Sequence, residues 1–282
     1  MLNAETSYTS HIRCFAWLCL SFFCFHQALA SEIYLDGEFV QGGLVQGTAP
    51  PGSLIILDGH KIRVSSQGAF LVGFGRDDVK DVVLEVRLPS GTVERHNLKI
   101  RARHYKIQRI DGLPPNKVTP DESVLARIEK ESALVRATRR RDDDRTDFLT
   151  GFVWPTHGRI SGVYGSQRIL NGEPRQPHYG VDVAAPVGTK VLAPADGIVT
   201  LAHDDLYFSG GTLILDHGHG LSSAFLHLSH ILVKVDDVIR RGEPIAEVGA
   251  TGRVTGAHLD WRMNLFDKRI DPALLVEPMT PE

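Results

Sequence analysis

The alternation of apolar and polar positions along this chain is mostly that of β-strands. From residue 31 to about residue 110, short apolar or alternating runs recur at Ile33–Leu35, Ser53–Leu57, Phe70–Phe74 and Val82–Arg87. Between them stand Asp36-Gly37, Pro50-Pro51-Gly52, Asp58-Gly59, Gln67-Gly68 and Ser90-Gly91. Glycine supplies positive φ and proline presets φ, so these clusters read as turns. Strands at this spacing predict a small, immunoglobulin-like β-sandwich over residues 31–110. Its His60, His96 and His104 show no ligand spacing, and no chemistry is assigned to them. The β pattern returns after Gly151, with strands expected at Lys190–Leu192, Gly197–Leu201, Thr212–Leu215, Ser222–Leu228, Pro244–Val248 and His258–Met263. Glycine-rich turns at Ser209–Gly211 and Gly249–Gly256 separate some of them. Helical periodicity is nearly absent there, which predicts a compact antiparallel β domain over residues 151–282.

Two segments break the pattern. Residues 111–150 form a linker whose first part, Asp111–Lys117, is turn-rich. Thr119 reads as an N-cap, Pro120 as the first helical residue and Glu122 as the partner in a capping box, predicting a helix from about 120 to 141. Val124, Leu125, Ile128 and Val135 make a narrow apolar stripe that should pack on one of the two domains. Arg139-Arg140-Arg141 and the following Asp142-Asp143-Asp144 read as a solvated, self-neutralising helix end. The second exception is the apolar stretch Cys14–Phe25, preceded by Arg13 and followed by Ala28-Leu29-Ala30. This is the pattern of a secretory signal peptide over residues 1–30, too short to span a bilayer comfortably. The expected mature protein starts near Ser31, is exported to the periplasm or secreted, and has no membrane span after cleavage.

Charge and cysteine content narrow the classes further. A net charge of −3 offers no electrostatic attraction for nucleic acid or an anionic membrane. All 3 cysteines, Cys14, Cys19 and Cys24, fall in the expected leader. The mature chain would therefore form no disulfide and no thiolate metal site, as suits a bacterial envelope compartment.

The candidate chemistry is a split pair of motifs, His178-Tyr179-Gly180-Val181-Asp182 and His258-Leu259-Asp260. Pro177 and Gly180 argue against a helix, so His178 and Asp182 are expected on one face of a strand, as are His258 and Asp260. His227, at the end of another strand, is placed to meet them. A catalytic zinc centre needs about three His, Asp or Glu ligands and an open position. Histidines beside it can take a proton from water and stabilise an oxyanion. In His217-Gly218-His219-Gly220 the glycines predict a turn, with His217 as a structural hydrogen-bonder. Trp261 is read as a core residue.

Either pair alone is a weak signal. The surrounding text, "HYGVDVAAPVGTKVLAPADGIV", "FLHLSHILVKVDDVIRRGEPIAEVG" and "TGRVTGAHLDWRM", resembles the lysostaphin/LytM-type zinc metallopeptidases, a family of peptidoglycan endopeptidases. The resemblance runs from about Trp154 to Leu275. It implies an antiparallel β catalytic domain with a duplicated hybrid motif, with His178 and Asp182 as the first two zinc ligands. Asp260 stands in the place of the histidine that is the third ligand, and His227 and His258 match catalytic residues. Phe225 replaces a tyrosine of the family block. One Zn²⁺ per catalytic domain is implied, with Mn²⁺ or another divalent ion admitted by Asp260. Two carboxylates would cancel the charge of the ion and make its water less acidic.

The implied function is a metalloendopeptidase that hydrolyses peptide cross-links of peptidoglycan during cell-wall remodelling, with a protein partner in the cell-wall machinery. The alternative is a catalytically impaired regulator that binds and activates a cell-wall amidase. In either case the sandwich and helix would position the C-terminal domain or shield its groove.

Overall fold

The computed structural model describes residues 33–78 and 81–279, so the expected leader lies outside the described residues. Among the described residues no helix is long and apolar enough to cross a membrane.

In the N-terminal part, β1 (Tyr34–Gly37), β2 (Leu44–Thr48), β3 (Leu54–Leu57), β4 (His60–Ile62), β5 (Ala69–Gly73), β6 (Val82–Arg87) and β7 (Val93–Leu98) form two antiparallel sheets, β1-β2-β5 and β4-β3-β6-β7. Val45, Phe70 and Val72 of the first sheet share a core with Ile55, Leu84 and Val86 of the second. The result is a small sandwich. It is immunoglobulin-like, with its fourth strand paired with the third, where the constant-type arrangement pairs it with the fifth.

Strand β5 is buried at every position. Phe70 and Val72 point into the sandwich, while Ala69 and Leu71, together with Leu44 of β2, join the core of the C-terminal half. The period of two thus divides one apolar run between two cores, which is why it reads as continuous rather than alternating. Each such large side chain contributes about 1.5–3 kcal/mol of burial.

The segment between the two cores is more structured than its turn-rich composition implies. It carries β8 (Ile107–Ile110), α1 (Pro115–Val118) and α2 (Glu122–Thr138), and is followed by β9 (Arg159–Gly162), β10 (Gln167–Leu170) and β11 (Glu173–Pro174). β8 pairs in parallel with β10, which pairs antiparallel with β11. The capping box expected at Thr119 does not form. Asp121 is the N-cap of α2, without a side-chain cap bond, and Thr119 ends α1 with φ −124°. Pro120 requires an extended predecessor, and the Thr119 hydroxyl accepts from Arg175 Nη2 at 3.1 Å.

The apolar stripe of α2 is also thinner than expected. Val124, Ile128 and Val135 are half-buried but Leu125 is exposed, and Val135 packs on Leu201, Leu206, Ile214, Ala224 and Leu226. Nor is the Arg139–Asp144 run simply solvated. Arg141 Nε donates to Asp143 at 2.9 Å, but Asp142 and Asp144 bond Arg63 of the sandwich, and Arg139 turns inward.

The C-terminal half contains β12 (Val181–Ala184), β13 (Lys190–Leu192), β14 (Gly197–Leu206), β15 (Gly210–Asp216), β16 (Leu221–Leu228), β17 (His230–Ile231), β18 (Val238–Ile239), β19 (Pro244–Glu247), β20 (His258–Leu265) and β21 (Lys268–Ile270). All the strands expected there are present, most of them longer. They form a large sheet ordered β18-β14-β15-β16-β20-β12-β9, with β21 on β20, and a small sheet ordered β13-β19-β17. Leu213, Leu215, Phe225, Leu259, Trp261 and Met263 fill the core between the sheets with Val191 and Ile245. Their alternates, including Ile214, Leu226, Asp260 and Arg262, take the opposite face. That face is the floor of a groove, and α2 stands over it. Trp261 is fully buried and packs edge-on against Trp154, as a core residue should.

His217 fills the turn between β15 and β16. Its ring is fully buried, with Nδ1 2.6 Å from the Asp196 carbonyl and Nε2 2.8 Å from the Ser223 hydroxyl. Nδ1–H donates and Nε2 accepts, which is the bonding of a neutral ring. Burial pulls its pKa from 6.5 to about 4. Between these values the unfolded chain binds a proton that the folded chain refuses. The contribution of His217 is therefore complete above pH 6.5 and declines toward pH 4, by about 3 kcal/mol. Urea unfolding should accordingly show wild-type stability falling more steeply between pH 7 and pH 4.5 than that of His217→Asn, groups common to both cancelling. Parallel curves would show that the buried ring does not titrate in this way.

Candidate metal centre

The structure brings His178, Asp182 and Asp260 together, by a route that differs from the expected one. Asp182 lies on β12 directly opposite Asp260 on β20. His178 is not on that strand: the chain is irregular from Arg175 and becomes β only at Val181. Gly180 explains the departure. A Cβ there would lie 2.5 Å from Asp260 Oδ1 and 2.6 Å from the Trp261 carbonyl, so only glycine lets this segment press against β20. Gly162 of β9 does the same for Asp182, whose Oδ2 would be 2.1 Å from an added Cβ.

His258 and Asp260 share a face of β20, as the period of two requires, with His258 opposite Ala184. His227 reaches the same face through a β-bulge. Gly211 pairs with Leu228 and Leu213 with Phe225, so β16 holds one residue more than β15 over this stretch. Strict alternation would send His227 into the core with Phe225. Instead it adopts φ 66°, Leu228 takes the core position, and the imidazole turns to the groove. Bulges beside active sites re-aim side chains in this way.

The three potential ligand atoms all lie within 4.8 Å of one another. His178 Nε2 and Asp182 Oδ1 are 3.0 Å apart, yet neither has a hydrogen-bond partner although both are buried. Two buried ligand-type atoms this close, with no hydrogen bond to satisfy either, are the arrangement a cation would complete. The set of one imidazole and two carboxylates suits Zn²⁺, so the residues fit the ion. His258 Nε2 is 3.8 Å from Asp182 Oδ1. The rings of His227 and His258 are 4.9 Å apart. His227 Nδ1 lies 2.8 Å from the Thr251 carbonyl and His258 Nδ1 lies 2.9 Å from that of Gly256. With Nδ1–H donating in each, Nε2 is left as the acceptor. Burial holds His227 neutral, with its pKa down to about 4.

Two arginines that the sequence reading passed over complete the electrostatics. Arg262 Nε and Nη2 grip both oxygens of Asp260, at 2.6–3.1 Å. Arg168 Nη2 donates to Asp182 Oδ2 at 2.7 Å. Burial pushes the Asp260 carboxyl up, but Arg262 and His178 outweigh it and hold the group well below the usual carboxylate range. Burial and Asp260 push Asp182 up too, against His178 and Arg168, and it also remains below that range. The expectation that two carboxylates alone would set the charge of the centre is thereby altered, because each has a guanidinium beside it. Arg262 could have been found: it lies two residues past Asp260, on the same face of the strand.

Comparisons with known proteins identify the family. Residues 176–272 match the profile of Peptidase family M23. The chain is 39% identical over 106 residues to the peptidoglycan DD-endopeptidase ShyA of Vibrio cholerae, covering 37% of this chain and 24% of that protein. It is 36% identical over 124 residues to the DD-carboxypeptidase/endopeptidase Mpg of Neisseria meningitidis, covering 44% and 28%. The chain thus spans about a quarter of the length of these curated relatives. A crystal structure of a candidate peptidase M23 from Pseudomonas aeruginosa is similar over far more, with 32% identity, a TM-score of 0.61, and coverage of 84% of this chain and 93% of that one. The protein whose groove holds these three candidate ligands and two further histidines belongs to peptidase family M23.

Proposed function

We propose that the protein is an exported zinc metalloendopeptidase that hydrolyses peptide bonds in peptidoglycan. The observation that carries the proposal is the convergence of His178, Asp182 and the Asp260 carboxylate beside two histidines whose Nε2 atoms are free to accept. His178, Asp182 and Asp260 would hold the ion. A bound Zn²⁺ would supply Lewis-acid polarisation of the scissile carbonyl and an acidified water. His227 and His258 would accept a proton at Nε2 and return it to the leaving amine, their tautomers fixed by the Thr251 and Gly256 carbonyls. The Nε2 atoms also stand ready, once protonated, to stabilise an oxyanion.

Arg262 offsets the charge of Asp260, which weakens the case for a harder ion such as Mn²⁺ and leaves Zn²⁺ as the proposed metal. The endopeptidase relatives support the substrate class. The proposed organisation is the signal peptide, residues 1–30, the sandwich, 31–110, the linker, 111–150, and the peptidase domain, 151–282, acting in the periplasm or outside the cell.

Three outcomes are expected. Incubation with purified sacculi should release muropeptides with the wild type and none with His178→Ala; release by neither would favour the reading as an amidase regulator. Elemental analysis should find about one zinc per wild-type chain and a clear loss in Asp260→Ala, whereas unchanged zinc would remove Asp260 from the ligand set. Arg262→Met leaves Asp260 buried without its counter-charge and should cost about 3–5 kcal/mol in urea unfolding of the metal-free protein. The double variant Asp260→Asn/Arg262→Met should recover much of that loss, and additive losses would show that the two residues do not act as a pair.

A further inference from the structure

A cavity of about 430 Å³ lies between α2 and the groove floor and extends to His227. Arg136 of α2, Arg139 at the C-cap of that helix, Arg168 of β10, Arg253, Arg262 of β20 and Arg269 of β21 all line it. Its floor is apolar, made by Leu206, Ile214, Ala224 and Leu226, with Phe208 at the side. The acidic residue on its wall is Glu131, and that carboxylate is already occupied, accepting from Arg127 Nε at 2.6 Å and from the Tyr207 N–H at 2.7 Å.

The cationic wall is only partly neutralised from within: Arg168 and Arg262 are paired with Asp182 and Asp260. Among the described residues no carboxylate bonds Arg139, Arg253 or Arg269. Arg253 donates to the Lys117 carbonyl at 3.2 Å and its guanidinium lies 4.6 Å from the centre of the Phe208 ring. Arg269 reaches the Asn264 side-chain oxygen at 3.3 Å. The Nε atoms of Arg139 and Arg168 are buried without any partner. Burial, reinforced by neighbouring guanidinium groups, pulls Arg139 down to about 9 and Arg253 and Arg269 to about 10. Buried donors are ordinarily satisfied, so a cluster left wanting acceptors calls for an external anion.

We propose that this cavity is a subsite for a peptide segment bearing two or more free carboxylates on aliphatic arms, held next to the candidate metal centre. The planar fork of each guanidinium matches a carboxylate through two parallel bonds. The apolar floor suits the methylene arms of an acidic peptide and would be left unfilled by a compact inorganic anion. The cavity shares His227 and Arg262 with the candidate centre, so a peptide seated in it reaches the reacting groups. The inference rests on the peptide-hydrolase reading and specifies which peptides that site would select.

Binding can be measured apart from cleavage. The full chain carrying His178→Ala would be titrated calorimetrically with N-acetylated, C-amidated Ala-Glu-Ala-Glu-Ala, with its Gln-for-Glu counterpart, and with inorganic phosphate. The acidic peptide should bind about 10-fold more tightly than the neutral one, as two charge-assisted contacts warrant. Adding Arg139→Gln and Arg253→Gln should abolish the preference while leaving the thermal melt in place. Equal affinity for the two peptides overturns the proposal with no reference to any arginine variant. So does phosphate binding as tightly as the acidic peptide, or a preference that survives the arginine replacements. Wild-type protein that digests sacculi but shows no carboxylate preference would sink the subsite alone. Protein inert on sacculi but selective for the acidic peptide would sink the hydrolase reading alone.

Discussion

The structure is organised around two ionised carboxylates that face each other across adjacent strands. Asp182 and Asp260 are directly opposite on β12 and β20 and almost fully buried. Like charges in that position repel, and burial amplifies the repulsion. Their coexistence requires positive charge from several directions. Arg262 supplies it from the same strand and Arg168 from β10, while His178 joins them from an irregular segment that only Gly180 allows to approach. β10 is in turn held by β8, the strand that leaves the sandwich. The N-terminal half therefore bears on the centre through a ladder of hydrogen bonds ending in the Arg168–Asp182 ion pair.

The placement of an aspartate at position 260 acquires a physical reading from the same arrangement. Exchanging a neutral imidazole for a carboxylate lowers the local charge by one, and Arg262 raises it by one, within hydrogen-bond distance of both Asp260 oxygens. A carboxylate gripped through both oxygens is oriented as well as neutralised. Position 260 and position 262 are thus two halves of one electrostatic unit, and the strand period of two places them on one face.

The elements that were legible in the sequence are those in which local pattern and tertiary packing agree. The strands around Leu213, Phe225 and Trp261 are alternating or fully apolar because one face meets a core, and they fell where the pattern placed them. His258 and Asp260 are of this kind. What escaped was decided by contacts distant in sequence. Thr119 has every local mark of an N-cap, but Pro120 and the bond from Arg175 hold it extended. Leu125 belongs to the helical stripe, yet it stays exposed because α2 stands over a groove instead of resting on a flat core. His178 sits outside the strand because β20 needs the glycine at 180 as its neighbour. The aim of His227 depends on one extra residue in β16 relative to β15, a property of pairing that no single strand displays.

α2 and its C-cap hold arginines over the groove although the helix is not a buried one. None of its residues is fully buried, so packing alone would leave it loosely held. Polar ties at both ends take that role. Arg127 donates to the Asp205 carbonyl at 2.6 Å, and Glu131 accepts from the Tyr207 N–H, which fastens the first half of the helix to the tip between β14 and β15. Beyond its last turn, Asp142 and Asp144 bond Arg63, and Arg145 bonds Asp216. Between these anchors the helix bridges the cavity, with Val135 as its apolar contact to the floor. A bridge secured at its ends can present Arg136 and Arg139 at fixed positions while leaving the space beneath them free. Packing the helix down would have filled that space, and the polar ties keep it open.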